Sequence, residues 1–277
     1  MTDRDLVRRC AVIGSPVDHS LSPALHSAAY TYLGLDWTYD RYEVTEADLV
    51  AFLDGLDGRW RGLSVTMPLK EAALRCVDDV APMAATVSAV NTILFDEEGR
   101  RFGDNTDVPG MVAALEERWD GRPAYGAVIG GGATARSALG ALSALTDRVE
   151  VFVRTPQRAE RLMQAATDLH LTCRVRDWAE REDALTAPVV ISATPAGATD
   201  DLATRLQSSP GVLFDVVYSP WPTPLASAWA DSGGTVVSGF DLLVHQAVLQ
   251  VAAMTGRDVS VSLLRAAVTS ELARSTR

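Results

Sequence analysis

Residues 128–135 read Val128-Ile129-Gly130-Gly131-Gly132-Ala133-Thr134-Ala135, a glycine-rich turn between an apolar strand and a predicted helix. Glycines let the backbone turn tightly and approach a ligand closely. The free N–H groups at a helix N-terminus favour a phosphate there. A glycine cluster alone also fits a plain loop, but the strand–turn–helix setting is the one that a dinucleotide fingerprint requires, and Ala135 is tolerated in place of its last glycine. The turn therefore predicts a nucleotide site.

Short apolar strands alternate with helices on both sides of this turn, from residue 127 onward. This rhythm predicts a parallel, doubly wound sheet. Helices are expected over 133–145 and 156–169. The predicted strands are Ala127–Ile129, Glu150–Val153, Val189–Ser192, Val212–Val216 and Thr235–Val237.

The first third of the chain alternates strands and helices as well. One helix is expected to run from the N-cap Ser22 to Leu33 and to stop at Gly34. Residues 45–48 resemble a capping box that opens a second helix ending at Gly55. The predicted strands cover 10–13, 38–44 and 63–66, followed by a hairpin of 90–95 with 100–103.

The chain as a whole is predicted to form two α/β domains. A helix over 109–119 leads into the second α/β series, and helices after Gly239 and over 262–273 end the chain. We expect a substrate-binding catalytic domain of residues 1–108 and 240–277 and a Rossmann-type dinucleotide-binding domain of residues 109–239. Ligand sites are expected in the cleft between such domains.

Composition narrows the class of protein. The chain has 277 residues, 47% of them hydrophobic and 22% charged, as in soluble globular proteins. The net charge of −11 argues against nucleic acid or a membrane surface as a partner. Cys10, Cys76 and Cys173 are scattered, so neither a disulfide framework nor a metal site is expected. The polar N-terminus, residues 1–9, shows no signal peptide, and we expect a cytoplasmic protein.

The end of the second strand of the Rossmann-type series bears on the cofactor. An NAD site would place Asp or Glu there to bind the ribose 2′-hydroxyl. Here Val153 is followed by Arg154, Thr155 and, one helical turn on, Arg158. Two guanidinium groups and a hydroxyl suit a 2′-phosphate better, although the arginines also fit solvated surface charges. The sequence therefore favours NADP.

Lys70 is the last residue of the segment 64–70, in which a predicted apolar strand is followed by Pro68. Proline ends strand pairing and suits the first turn of a helix, so an amine is predicted beside a strand end and a helix start. Ligands gather at such strand ends in open α/β sheets, and lysine can donate and accept a proton. On its own, Lys70 fits a solvated helix residue at least as well.

Three polar segments are candidates for binding a small substrate. Residues 14–23 place Ser20 and Ser22 after a strand and at a helix start, where a carboxylate can bind, although Ser22 also fits simple capping. Residues 103–107 follow the hairpin and fit either a site or a turn with Asx bonding. Residues 88–92 set an amide, Asn91, at a strand start.

Taken together and in order, these segments resemble the shikimate dehydrogenase family over nearly the whole chain. The resemblance implies NADP-linked interconversion of 3-dehydroshikimate and shikimate, in aromatic amino-acid biosynthesis. The matching segments are Gly14–Pro23, Ser64–Lys70, Ala89–Thr92, Asp104–Asp107, Gly130–Ala135, Arg154–Thr155, Tyr218–Leu225 and Ser238–Gln246.

The resemblance also implies residue roles. Lys70 would exchange the proton of the reacting hydroxyl and pair with Asp107. Ser20 and Ser22 would hold the substrate carboxylate. The ring hydroxyls would be bound by Thr66, Asn91 and Asp107, and the pocket completed by Tyr218 and Gln246. The cofactor would be bound by Gly130, Gly131, Gly132, Ala133, Thr134, Arg154, Thr155, Arg158, Val216 and Gly239.

The sequence departs from the family pattern at a few positions. The family usually has Asn at Ser64, Gly at Ser88, and Asn at Val153 and Ser192. Because such changes can alter substrate specificity, a quinate or aminoshikimate dehydrogenase is an alternative hypothesis. A non-catalytic binding protein that keeps the fold is a second alternative. His19, His26 and His245 are expected to be structural. Small molecules are the expected partners of a monomer or homodimer.

Overall fold

The chain folds into two α/β units, which the computed structural model describes over residues 7–206 and 211–275. Residues 1–6 of the polar N-terminus lie outside the described residues, as do 207–210 and 276–277. The first unit comprises the described residues up to Thr106 together with those from Val244 onward. The second unit comprises Asp107–Leu243.

The first unit contains a six-stranded mixed sheet in the order β2-β1-β3-β5-β6-β4. β1 pairs in parallel with β2 and β3, whereas β5 runs antiparallel to β3 and β6 and forms the predicted hairpin. The strands are β1 Arg8–Gly14, β2 Trp37–Glu43, β3 Trp60–Val65, β4 Asp79–Val80, β5 Thr92–Phe95 and β6 Arg101–Asp104. The helices that begin in this unit are α1 Ser22–Leu33, α2 Leu49–Asp54, α3 Pro82–Thr86, α9 Val261–Ser275 and a 3₁₀ helix, Ala72–Arg75.

Helix ends in the first unit follow local chemistry, with three corrections. Gly34 ends α1 in the left-handed conformation at φ 64°, as predicted. The N-cap of α1 is Leu21 rather than Ser22, so Ser22 lies inside the first turn. The predicted capping box does not form, because the Thr45 hydroxyl donates to the Asp48 carboxylate instead of binding the helix backbone. Pro68 does not open a helix: residues 67–71 form turns, and helical backbone starts at Ala72.

The second unit contains a parallel six-stranded sheet in the order β9-β8-β7-β10-β11-β12. This is the doubly wound order 3-2-1-4-5-6, whose topological switch point lies between β7 and β10. The strands are β7 Gly126–Ile129, β8 Arg148–Val153, β9 Thr172–Asp177, β10 Val189–Ser192, β11 Val212–Asp215 and β12 Thr235–Ser238. The helices that begin here are α4 Asp107–Arg118, α5 Ala133–Ser143, α6 Pro156–Asp168, α7 Pro224–Asp231, α8 Gly239–Thr255 and two 3₁₀ helices, Trp178–Thr186 and Asp200–Thr204.

Both faces of the central strands β7, β10 and β11 are buried, which explains their continuous apolar sequences. Val128 and Phe214 pack with α5 on one face, whereas Ile129 and Leu213 pack with Trp229 of α7 on the other. The predicted α/β class, with a Rossmann-type second unit, is confirmed. β9 was not expected from the sequence, because it is an edge strand whose residues are only half-buried or exposed.

Among the described residues, no helix is both long and apolar enough to cross a membrane.

Candidate functional site

The glycine turn lies where a dinucleotide fingerprint requires it, after β7 and before α5. Gly130 has a φ of 130°, and a Cβ there would lie 2.5 Å from the backbone oxygen of Ala193. Gly132 adopts extended backbone that any residue can take, and a Cβ there would meet no atom within 4 Å. The fold therefore requires glycine at 130, whereas the space beside Gly132 is open to a ligand.

Helix α5 supplies backbone donors next to this space. Ala133 and Thr134 are its first two residues, and the Arg136 N–H donates to the Gly132 oxygen at 3.2 Å. The N–H groups of a helix's first turn have no partner within the helix and point towards its N-terminus. The turn can thus receive an anionic group such as a pyrophosphate.

Cationic side chains stand at the end of the neighbouring strand, β8. Arg154, Thr155 and Arg158 are all exposed. Thr155 is the N-cap of α6, and its carbonyl accepts from the Arg158 N–H at 3.0 Å. The stem of Arg158 lies against Gly131, where a Cβ would be 3.0 Å from the arginine Cβ. Because this contact brings Arg158 to the glycine turn, these residues fit a dinucleotide with an added phosphate.

The segment after β11 brings together two further residues assigned to the cofactor site. A Cβ on Gly239 would lie 2.2 Å from the backbone oxygen of Val216, so only glycine fits this close approach. The Asp215 carboxylate holds the segment by accepting from the Thr223 hydroxyl at 2.7 Å and the Val217 N–H at 3.2 Å. Burial raises the pKa of Asp215.

Tyr218, a predicted substrate residue, lies in the same segment. Its ring packs on Phe240, with the ring centroids 5.7 Å apart. Burial raises the pKa of its phenol, which is therefore neutral at physiological pH. A neutral phenol can donate a hydrogen bond to a ligand oxygen.

Ser20 and Ser22 are brought together in the first unit. Both are buried, and the Ser22 N–H donates to the Ser20 hydroxyl at 3.3 Å. Arg41 fixes the same turn through a 3.1 Å bond from its Nε to the Ser20 carbonyl. Two hydroxyl groups thus lie together at the start of α1, the arrangement expected of a carboxylate site.

Asn91 and Gln246 are also brought together. The Asn91 amide nitrogen lies 3.5 Å from Gln246 Oε1, and it donates to the Thr106 hydroxyl at 3.0 Å. Thr106 returns a bond from its N–H to Asn91 Oδ1 at 2.8 Å. Thr106 was not singled out from the sequence, although its place in the polar run 104–107 was the available signal.

Thr66 comes directly before the turn that follows β3, and Lys70 lies within that turn. The Lys70 carbonyl accepts from the Val90 N–H at 2.8 Å, which ties the turn to the residue before Asn91. Thr66 N–H donates to the Ile13 carbonyl at 2.9 Å, so the turn lies beside the end of β1. Asp107 is buried and is the first residue of α4 in the second unit. The pairing of Lys70 with Asp107 stays a prediction.

Ser64 and Ser88, two departures from the family pattern, have clear structural settings. Ser64 is buried and is hydrogen-bonded to Gln250, a residue that the sequence pattern does not single out. Gln250 lies one helical turn after Gln246 on α8, and this spacing was the only sequence signal for it. Ser88 has a φ of 49°, in the left-handed region where glycine is favoured.

No group of His, Cys, Asp and Glu side chains in the described part of the chain could hold a metal ion.

Comparison with known proteins places this geometry in a family. The family model for the shikimate dehydrogenase substrate-binding domain matches residues 12–93. A shikimate dehydrogenase (NADP(+)) of Thermus thermophilus is 38% identical over 255 residues, covering 90% of this chain and 92% of that protein. The crystal structure of Mycobacterium tuberculosis shikimate dehydrogenase has a TM-score of 0.86 at 38% identity, covering 95% of this chain and 99% of that one.

A third match bears on the ligands of the fold. The crystal structure of a Thermus thermophilus shikimate 5-dehydrogenase in complex with NADP(H) and shikimate has a TM-score of 0.84 at 34% identity. It covers 95% of this chain and 99% of that one. With over 30% identity sustained across nine-tenths of both chains, the chain belongs to the shikimate dehydrogenase family.

Proposed function

We propose that this protein is an NADP-dependent shikimate dehydrogenase, which interconverts 3-dehydroshikimate and shikimate. The observation that carries the chemistry is the identity of one residue. Of the 25 lysine and arginine residues in the chain, only Lys70 is a lysine. Arginine stays protonated in proteins, whereas an amine can give up and regain a proton. Lys70 therefore carries the only side-chain amine of the chain, and it lies at the position where proton transfer is expected.

The reaction needs a hydride on carbon and a proton on oxygen. NADPH, when bound, supplies the hydride. The ammonium group of Lys70 would give its proton to the ketone oxygen, and its amine would take the proton back in the reverse direction. Asp107 would orient the amine and the reacting hydroxyl. Proton transfer of this kind typically contributes about 10²–10⁴-fold to the rate.

The remaining residues would position the substrate. The paired hydroxyls of Ser20 and Ser22 would bind its carboxylate, with the helix start beside them favouring a negative charge. Thr66 and Asn91 would bind the ring hydroxyls, and Tyr218 and Gln246 would close the pocket. The two hydrogen bonds between Asn91 and Thr106 support this role, because they hold the amide in one orientation before substrate binds.

The cofactor would lie along the carboxyl end of the parallel sheet. Gly130, Gly131, Gly132, Ala133 and Thr134 would receive the pyrophosphate, and the open space beside Gly132 supports this placement. Arg154, Thr155 and Arg158 would bind the 2′-phosphate, and Val216 and Gly239 would border the nicotinamide.

We further propose a substrate domain of residues 1–108 and 240–277 and a cofactor domain of residues 109–239. The protein would act in the cytoplasm, as a monomer or homodimer, in aromatic amino-acid biosynthesis. Its ligands would be small molecules and not nucleic acid or a membrane.

Initial rates with shikimate and with quinate, each with NADP⁺ and with NAD⁺, test the proposal. We expect the highest kcat/KM for shikimate with NADP⁺. A higher kcat/KM for quinate would assign the protein to the rival substrate instead. Absence of turnover with all four pairs, in protein that binds NADP⁺, would support a non-catalytic role.

A further inference from the structure

A tryptophan outside all the assigned site residues lies directly beside Arg154. Val153, the last residue of β8, pairs with Asp177, the last residue of the adjacent parallel strand β9, so Arg154 and Trp178 each come directly after the paired strand ends. The Arg154 guanidinium carbon lies 4.2 Å from the centroid of the Trp178 ring. At this distance the cation is attracted to the negative face of the indole.

Trp178 is itself held in place from several sides. It is the first residue of the 3₁₀ helix Trp178–Thr186, and Asp177 and Glu180 cap the N-terminus of this helix with a complete capping box. The Arg181 guanidinium carbon is 4.8 Å from the same ring, and Arg181 donates to the Trp178 carbonyl at 3.1 Å. Asp201 forms an ion pair with Arg181. The indole is therefore a fixed surface, and the charge of the second arginine is already compensated.

Arg154 differs from Arg181 in having its hydrogen-bond donors available. Within residues 7–206 and 211–275 it makes no hydrogen bond or ion pair, and its contact is with the indole. A guanidinium held over an aromatic ring still has N–H groups that can reach a ligand away from the ring. That arrangement suits bidentate binding of a phosphate.

We propose that Trp178 is a positioning residue that holds the Arg154 guanidinium for the 2′-phosphate and so sets the preference for NADP over NAD. This inference rests on the proposed function. A free, exposed arginine must give up the mobility of its long side chain when it binds phosphate. Stacking on Trp178 restricts that mobility before binding, and only a ligand with a 2′-phosphate benefits. The indole thus acts on the nucleotide through Arg154.

The test measures binding rather than turnover, by calorimetry on the full chain. The probes are adenosine 2′,5′-bisphosphate and adenosine 5′-monophosphate, which differ only in the 2′-phosphate. We expect Trp178→Leu to weaken bisphosphate binding about three- to tenfold, the range given by a cation–π contact of this exposure. Binding of the monophosphate should stay within about twofold, and Trp178→Phe, which keeps an aromatic face, should retain most of the affinity. Trp178→Gln replaces the leucine variant if that variant does not fold.

A double-mutant cycle with Arg154→Ala separates the explanations. In that background the Trp178 substitution should have no further effect, because the arginine it positions is gone. An undiminished effect would mean that the indole contacts the nucleotide itself, which overturns the inference. Equal loss for both probes, or no loss for either, also overturns it. A wild-type protein that does not prefer the bisphosphate would instead overturn the NADP assignment, and the inference with it.

Discussion

The Ser64 hydroxyl donates a hydrogen bond to Oε1 of Gln250 over 2.6 Å. Ser64 accepts in turn from the Tyr39 hydroxyl. Gln250 uses its amide nitrogen to donate to the Thr92 hydroxyl at 2.9 Å and to the Asn91 carbonyl at 3.2 Å. Since these side chains are buried, the network fixes α8 against β3 and the start of β5. It thereby supports the helix that carries Gln246 and the backbone that carries Asn91.

This network predicts a measurable coupling between Ser64 and Gln250. Ser64→Ala leaves the Gln250 oxygen and the Tyr39 hydroxyl short of a partner, and we expect a loss of about 1–3 kcal/mol in the free energy of unfolding. Gln250→Ala should cost at least as much. Urea denaturation of both single variants and the double variant gives the coupling, which should be about 0.5–3 kcal/mol because the residues are in direct contact.

Ser27→Ala on the exposed face of α1 is the matched control, and it should change stability by less than about 0.5 kcal/mol. Strictly additive effects of the Ser64 and Gln250 substitutions would contradict the network.

His26 makes the stability of the first unit depend on pH. It is fully buried, stacks on Tyr39 with ring centroids 4.0 Å apart, and lies 3.4 Å from Gln250 Oε1. Burial lowers the pKa of His26 to about 3 from its ordinary value of 6.5. As the pH falls through 6.5, the unfolded chain therefore binds a proton at this histidine, whereas the folded chain does not until the pH is near 3. The contribution of the neutral histidine to the free energy of unfolding is fully present above pH 6.5 and is lost as the pH drops towards 3.

Between pH 8 and pH 5, we expect this histidine to remove about 2 kcal/mol of stability. His26→Gln, which cannot titrate, should flatten the pH dependence by that amount when the two proteins are compared by urea denaturation at each pH. Parallel curves for wild type and variant would show that His26 is protonated equally in both states. The same burial agrees with the expectation from the sequence that His26 is structural rather than catalytic.

Local chemistry explains which elements were predictable from the sequence. The left-handed Gly34, the glycine turn after β7 and the hairpin of β5 with β6 each depend on residues adjacent in the chain. Ser64 and Gln250 are 186 positions apart, and no local pattern joins them. The Arg154–Trp178 contact could not be predicted for a related reason. It depends on the edge strand β9, and the charged, half-buried or exposed residues of β9 do not form an apolar strand pattern.

Gly130 and Gly132 should respond in opposite ways to alanine. Gly130→Ala forces a side chain into left-handed backbone and against the Ala193 oxygen, so we expect a loss of roughly 1–3 kcal/mol in stability. Gly132→Ala meets no protein atom and should leave stability within about 0.5 kcal/mol. If a pyrophosphate occupies the open space, this second variant should bind NADP⁺ at least roughly tenfold more weakly, a change of about 1.4 kcal/mol.

Urea denaturation and calorimetric titration with NADP⁺ measure the two effects separately. Wild-type affinity in a folded Gly132→Ala protein would show that the cofactor does not approach this turn. Destabilisation of that variant would show that the fold itself needs a glycine there.

Lys70 offers a test that separates charge from proton transfer. Lys70→Arg keeps the positive charge and uses the side chain found at every other cationic position in this chain. Because arginine cannot release a proton at neutral pH, we expect kcat to fall about 10²–10⁴-fold, with little change in KM. Lys70→Ala should lower kcat over the same range. If Lys70→Arg kept near-normal kcat while Lys70→Ala lost it, the residue would act through its charge alone, and the proton donor would have to be another group.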